Sequence, residues 1–264
     1  MRNFTKKYIT LIVCSVVLTI TVSSCSKDKY YKDGGLANPQ FNGTVLQYLQ
    51  SNPVKFDSVV QVIKLAGMEE VFSKESITFF APTDEVIRRT IGIVNGKIPL
   101  LQYRLNQNLY DLNRDTIKTL SDIKPAIWKK FLMRYIIKGK YLLKDFPQLD
   151  FDLRPLYPGG YYYGYNGDLL NVGVVFNSAN AIRYAGYRQL CIAPLIDPSD
   201  PTRTYFSSAP VATSDVQPTN GVVHVLVEYT PLKDNKLGDI RLDASMMEIF
   251  GMGYDFYTDV ILNR

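Results

Sequence analysis

The apolar pattern of this 264-residue chain changes period once, near Tyr141, and that change restricts the fold more than any other feature. Before it, apolar residues recur at helical spacing. Thr44–Ser51 carries a short stripe closed by Asn52-Pro53, and Phe56, Val59, Val60 and Ile63 repeat ahead of Gly67, a candidate C-terminal cap. Ala126–Lys138 reads as a partly buried helix ending at Gly139, and Gly92–Pro125 as an inserted loop or irregular helix. After Tyr141, β-formers alternate among glycines and prolines over Tyr161–Tyr165, Leu169–Phe176, Ile182–Tyr187, Gln189–Ile196, Val211–Val216 and Val222–Tyr229. Asn220-Gly221 is a hairpin signal, since both turn positions favour φ > 0. Helices first and antiparallel strands later predict an α+β fold, strands packed with several helices.

The N-terminal segment has a different logic. Met1–Lys7 is positive and free of acids, and Tyr8–Ile20 is an uncharged, mostly apolar run. Spanning a bilayer takes about 20 apolar residues, so this run is too short and has the pattern of a secretory signal. It ends in Val22-Ser23-Ser24-Cys25, which resembles the lipobox of bacterial lipoproteins. That resemblance implies a signal peptide over 1–24 and a Cys25 that carries acyl chains at the new N-terminus. Each buried CH2 of such a chain contributes ~0.8 kcal/mol, so Cys25 becomes the membrane anchor. Cys14 lies inside the apolar run without small residues before it and is rejected. Residues 25–40, polar and glycine-containing, read as a lipidated tether.

Removing 1–24 takes away Arg2, Lys6 and Lys7 and no acid, so the formal charge falls from +5 to +2. The basicity is partly a targeting signal, and with no later Lys/Arg cluster nucleic acid is not an expected partner. Cys191 is left without an internal disulfide partner; its apolar setting, Leu190-Cys191-Ile192-Ala193, marks it as a core residue.

Two segments together resemble the fasciclin domain. Ile77-Thr78-Phe79-Phe80-Ala81-Pro82-Thr83-Asp84-Glu85 looks like that family's first motif, a strand running into a helix capped by Thr83, with Asp84 and Glu85 in its first turn. Asn220-Gly221-Val222-Val223-His224-Val225-Leu226, led in by Ser214-Asp215-Val216, looks like the second. The resemblance implies a β-wedge of antiparallel strands with helices, over 41–232, with insertions near 92–125 and 145–210 and a C-terminal extension at 233–264. It also implies adhesion or binding rather than catalysis. The chain departs from the family where a Tyr-His pair is often found: Tyr135 is present, but Ile136 stands in place of the His.

The sequence carries no recognisable catalytic set, metal site or cofactor site. His224 is the only histidine, so a His-rich metal site and a triad both lack partners, and a structural role bonded to backbone is the expectation. Asp145, Asp150 and Asp152 read as loop residues rather than a glycosidase pair. The aromatic cluster is more informative. Tyr161, Tyr162, Tyr163 and Tyr165, near Pro158-Gly159-Gly160, are candidate ligand-binding residues that could stack on sugar rings or anchor a protein. Alternate tyrosines can equally pair across strands and cover the core, the reading the sequence slightly favours.

Three functions stay open. The first is a lipid-anchored outer-membrane protein, surface-facing, that binds a protein or glycan at the envelope. The second is an accessory glycan- or peptide-binding subunit of a TonB-dependent nutrient-uptake complex. The third is a hydrolase whose site the sequence does not reveal.

Overall fold

The computed structural model describes residues 38–96, 105–195, 208–227, 236–237, 240–241, 252 and 254–263. The expected signal peptide, Cys25, most of the tether and nearly all of the 197–208 loop lie outside the described residues. The chain divides into residues 1–38 and a unit of Pro39–Arg264, which holds all the described elements.

Three short helices open the unit. Helix α1 (Val45–Gln50) starts with a capping box: the Gln47 N–H donates to the Thr44 hydroxyl at 3.2 Å, and the Thr44 N–H donates to the Gln47 side chain at 2.8 Å. Pro53 occupies the first position of α2 (Pro53–Leu65), where its missing N–H costs nothing. Gly67, at φ +63°, closes α2: its N–H donates to Lys64 O, and that of Met68 to Ile63 O, both at 3.0 Å. Helix α3 (Glu69–Lys74) escapes sequence reading because six residues with one buried side chain, Phe72, carry no periodic signal.

The strands are β1 (Gln40–Phe41), β2 (Ile77–Ala81), β3 (Ile136–Lys138), β4 (Gln148–Leu149), β5 (Gly160–Tyr163), β6 (Leu169–Phe176), β7 (Arg188–Pro194), β8 (Ala209–Pro218) and β9 (Gly221–Leu226). They form one sheet in the order β3-β2-β9-β8-β7-β6-β4, with β1 beside β8 and β5 beside β6. The pairing β2–β9 is parallel, whereas β5–β6–β7–β8–β9 run antiparallel. Ile137 of β3 bridges Gly164 just after β5, and the Tyr165 N–H donates to Ile136 O at 2.8 Å. The two margins of the sheet therefore meet, and the sheet curls. A two-stranded ribbon, β10 (Lys236–Leu237) with β11 (Ile240–Arg241), stands apart from it.

Helix α4 (Asp84–Ile91) follows β2, and α5 (Leu105–Asp111) lies in the stretch read as an insertion. Helix α6 (Pro125–Leu132) ends six residues before the expected 138. A 3-10 turn over Met133–Tyr135 follows, and Ile136–Lys138 becomes β3, paired with Phe79, Thr78 and Ile77. Two buried β-branched residues and a ladder beside β2 outweigh another helical turn. The last helix, α7 (Tyr254–Asn263), seats Phe256 with ring centroids 5.5 Å from Trp128 and 5.0 Å from Phe131. Ion pairs Lys130–Asp259 at 2.6 Å and Arg134–Asp255 at 2.5 Å flank that contact.

Two further expectations fail. Ile182–Tyr187 is not a strand: Tyr184, Ala181 and the neighbouring Asn180 hold positive φ, which bends the segment into turns. The β8–β9 hairpin turns at Thr219-Asn220, not Asn220-Gly221, and neither Asn220 nor Gly221 has positive φ.

Candidate functional site

The two motif segments lie side by side. In the β2–β9 register Phe80 stands opposite His224 and Ile77 opposite Gly221. Asn220 works through its side chain: its Oδ1 accepts the Val45 N–H at 2.8 Å, and its Nδ2 donates to Phe72 O at 3.2 Å and Glu75 O at 2.9 Å. One amide thus fastens the start of α1 and the end of α3 to the hairpin. Gly221 is needed for close approach, since a Cβ there would lie 2.5 Å from Ile77 O.

Thr83 sits at the N-cap of α4, but its buried hydroxyl makes no hydrogen bond; its C=O instead accepts the N–H of Val86 and Ile87. Asp84 is buried as well. Its Oδ1 accepts the N–H of Ser58 at 2.8 Å and Val59 at 3.2 Å, crosslinking α4 to α2. Burial pushes its carboxyl above the usual range, against the pull of those N–H groups and Arg88.

His224 is fully buried, with Nδ1 3.2 Å from the Asp215 N–H and Nε2 3.0 Å from Tyr141 O. That pattern fixes one tautomer: Nδ1 accepts and Nε2–H donates. Desolvation lowers its pKa, opposed by the bond to Tyr141 and the Asp215 charge. Rings of Phe80 and Phe146 pack on it at 5.2 and 6.1 Å. Cys191 is buried too, and burial pushes its thiol up to about 12. Neither group is placed to do chemistry on an outside molecule.

The four candidate tyrosines divide. Tyr162 packs on Tyr141 and Phe146 at 5.6 and 5.2 Å, as part of the inner aromatic layer. Tyr165 is half-buried, its hydroxyl donating to Glu75 at 3.0 Å, with the Lys138 ammonium 4.9 Å from its ring. Tyr161 and Tyr163 alternate to the other face of β5 and are 42% and 72% exposed.

A cleft of about 310 Å³ opens where β4 and the end of β6 meet. One wall is Leu149–Asp152, and the other runs from Val175 and Phe176 to Ser178, Ala181 and Arg183. Asp150 joins the walls. Its Oδ1 accepts the N–H of Asp152 at 2.8 Å and Leu153 at 2.9 Å; its Oδ2 accepts Arg183 Nη2 at 2.7 Å and the Tyr184 hydroxyl at 2.8 Å. Burial pushes the Asp150 carboxyl up, but those four donors together hold it below the usual carboxylate range. The sequence reading that makes Asp150 a plain loop residue misses this hub. Its partners lie 33 and 34 residues away, so no local pattern could have shown them. Asp152 lines the same cleft as Asp150, whereas Asp145 lines a different one, near Lys140 and Gln217.

Comparison with known families decides the relationship. The sequence profile described as Fasciclin domain matches residues 54–228. The chain belongs to the fasciclin-domain family. Among solved structures, the chain is similar to the FAS1 domain pair from the insect cell adhesion molecule Fasciclin I, with a TM-score of 0.38 and 16% identity over 75% of this chain and 52% of that one. The chain thus spans about half the length of that domain pair. No curated protein matches the chain. The curled sheet and its helices are this family's α+β fold. Family membership covers both motifs, and α7 lies beyond the matched residues. Among the described residues, no three His, Cys, Asp or Glu side chains converge as a metal site, and no helix is long and apolar enough to cross a membrane.

Proposed function

We propose that this fasciclin-domain protein is a lipid-anchored, non-catalytic binding protein of the bacterial outer membrane, held by Cys25 and engaging an envelope ligand through the outer face of β5. One observation carries the reading: Tyr161 and Tyr163 stand exposed together on a strand whose intervening Tyr162 is pinned in the aromatic layer. A rigid strand that presents two amphipathic rings offers contact area at low entropic cost. Family membership supports binding over catalysis. The lipobox-like Val22–Cys25 supports the anchor, with 26–40 as a tether.

The test is photo-crosslinking in cells, with a photoreactive residue placed at 161, 163 or, as a control, at Tyr110, which is exposed but lies on α5. Positions 161 and 163 should yield a shared envelope adduct that 110 does not. Equal yields at all three positions, or no adduct at any, would contradict the reading.

A further inference from the structure

We infer that the cleft between Leu149–Asp152 and Phe176–Arg183 is a binding site for a neutral sugar ring. This rests on the reading of the domain as a binding module and names a ligand class for a site separate from the β5 face.

The chemistry of the lining selects the ligand. Leu149, Phe151, Val175 and the half-buried Phe176 line the cleft, an apolar lining for the C–H face of a pyranose. Asp150, Asp152, Ser178 and Arg183 line the same space. Concave sites with apolar walls and a few aimed polar groups are the usual form of small-ligand pockets, and about 310 Å³ is at the small end of their range. The Arg183 guanidinium is preoriented, one N–H on Asp150 and the group 5.1 Å from the Tyr184 ring, yet its side chain remains 47% exposed. Arginine carries five donors in a fixed fork, so it still has N–H groups to offer a ring hydroxyl.

Rival ligands fit less well. Two carboxylates against one guanidinium disfavour an anion. A metal ion is disfavoured because both Asp150 oxygens are already engaged by four N–H and O–H donors. An added peptide strand finds no open ladder, since Val174 and Val175 pair with Gln148 and Leu149 on one side and with Leu190 and Gln189 on the other. A neutral polyol supplies acceptor oxygens for the exposed Arg183 N–H groups without bringing a charge of its own. The rim is also built at a cost: Asn180, Ala181 and Tyr184 hold φ of 50°, 61° and 65°. Left-handed non-glycine residues persist where surroundings over-determine them, often at ligand clamps. Here Asp150 holds Tyr184 by its hydroxyl, and Arg188 donates to its C=O at 3.0 Å.

The full chain, solubilised in detergent, would be titrated calorimetrically with neutral oligosaccharides of glucose, mannose, galactose and xylose. Uronic-acid oligomers and an unstructured peptide mixture form the counter-arms. Arg183→Ala removes the exposed donor. Ser178→Trp fills the cleft mouth and leaves the four bonds on Asp150 in place, and a thermal melt verifies that each variant is folded. Binding of at least one neutral oligosaccharide, weakened about tenfold or more in both variants and unchanged in Tyr161→Ala/Tyr163→Ala, is the expected result. No binding of any neutral oligosaccharide overturns the inference, and so does binding indifferent to both cleft variants, or Arg183-dependent binding of uronates or peptide alone. Neutral-sugar binding lost only in the tyrosine variant would overturn the cleft and leave the β5 reading standing.

Discussion

At Gly221, the first residue of β9, the chain has no room for a Cβ: Ile77 O and Val45 Cγ2 would lie 2.5 and 2.7 Å from it. Gly221→Ala should therefore lower stability by about 1–3 kcal/mol, read from the urea midpoint at constant m-value. Asn220→Ala should cost more than a surface cap, because it strands the Val45 N–H and two carbonyls at once. His224 makes a pH prediction. Its folded pKa is lowered by desolvation, so below about pH 6.5 the unfolded chain takes up a proton that the folded chain resists. Its contribution is complete above that pH and declines as the pH falls. Urea melts at descending pH should show wild type losing stability more steeply than His224→Gln; parallel curves would contradict the buried, neutral assignment. Asn220 and Gly221 stand out in the sequence, but their stated reason, a turn with positive φ, is not the physical one, and His224 is bonded to backbone at both ring nitrogens. The deciding contacts come from α1, α3 and Tyr141, far away in sequence.

Among the elements, legibility follows how local the cause is. The Gly67 stop of α2 and the run of β-formers in β6 each depend on residues within a few positions, and each is readable. β3 is not, because the Ile136–Lys138 ladder exists only once β2 lies beside it. The turn at Tyr184 is hidden for the same reason: Asp150 and Arg188 hold a residue that has no turn signature of its own. Helix α7 is the clearest case of an element whose importance the sequence conceals. Its Phe256, Tyr257 and Val260 are buried. Phe256→Ala should cost about 3–5 kcal/mol by leaving a hole against Trp128 and Phe131. A fluorescence-monitored denaturation that shows no loss would mean α7 is only loosely attached. Of the candidate site, the tyrosine cluster was visible, but its division was not. Strand alternation separates Tyr162 from its neighbours, and only the direction of the core tells which set faces out.

Within Pro39–Arg264, the curled sheet whose margins meet at Ile137–Gly164 carries both β5 and the Asp150 cleft. A sheet strand that presents exposed rings such as Tyr161 and Tyr163 is suited to holding a ligand. The reading of Cys25 as an anchor makes one prediction at this scale: Cys25→Ser should abolish incorporation of labelled fatty acid and move the chain out of the membrane fraction. Retention of label would contradict it. The most direct measurement of the central claim is the affinity of the purified full chain for isolated native envelopes, compared with that of Tyr161→Ala/Tyr163→Ala. Wild type should bind, and the double variant should lose about tenfold or more in affinity with an unchanged melting temperature. Equal affinity in the two proteins would contradict it.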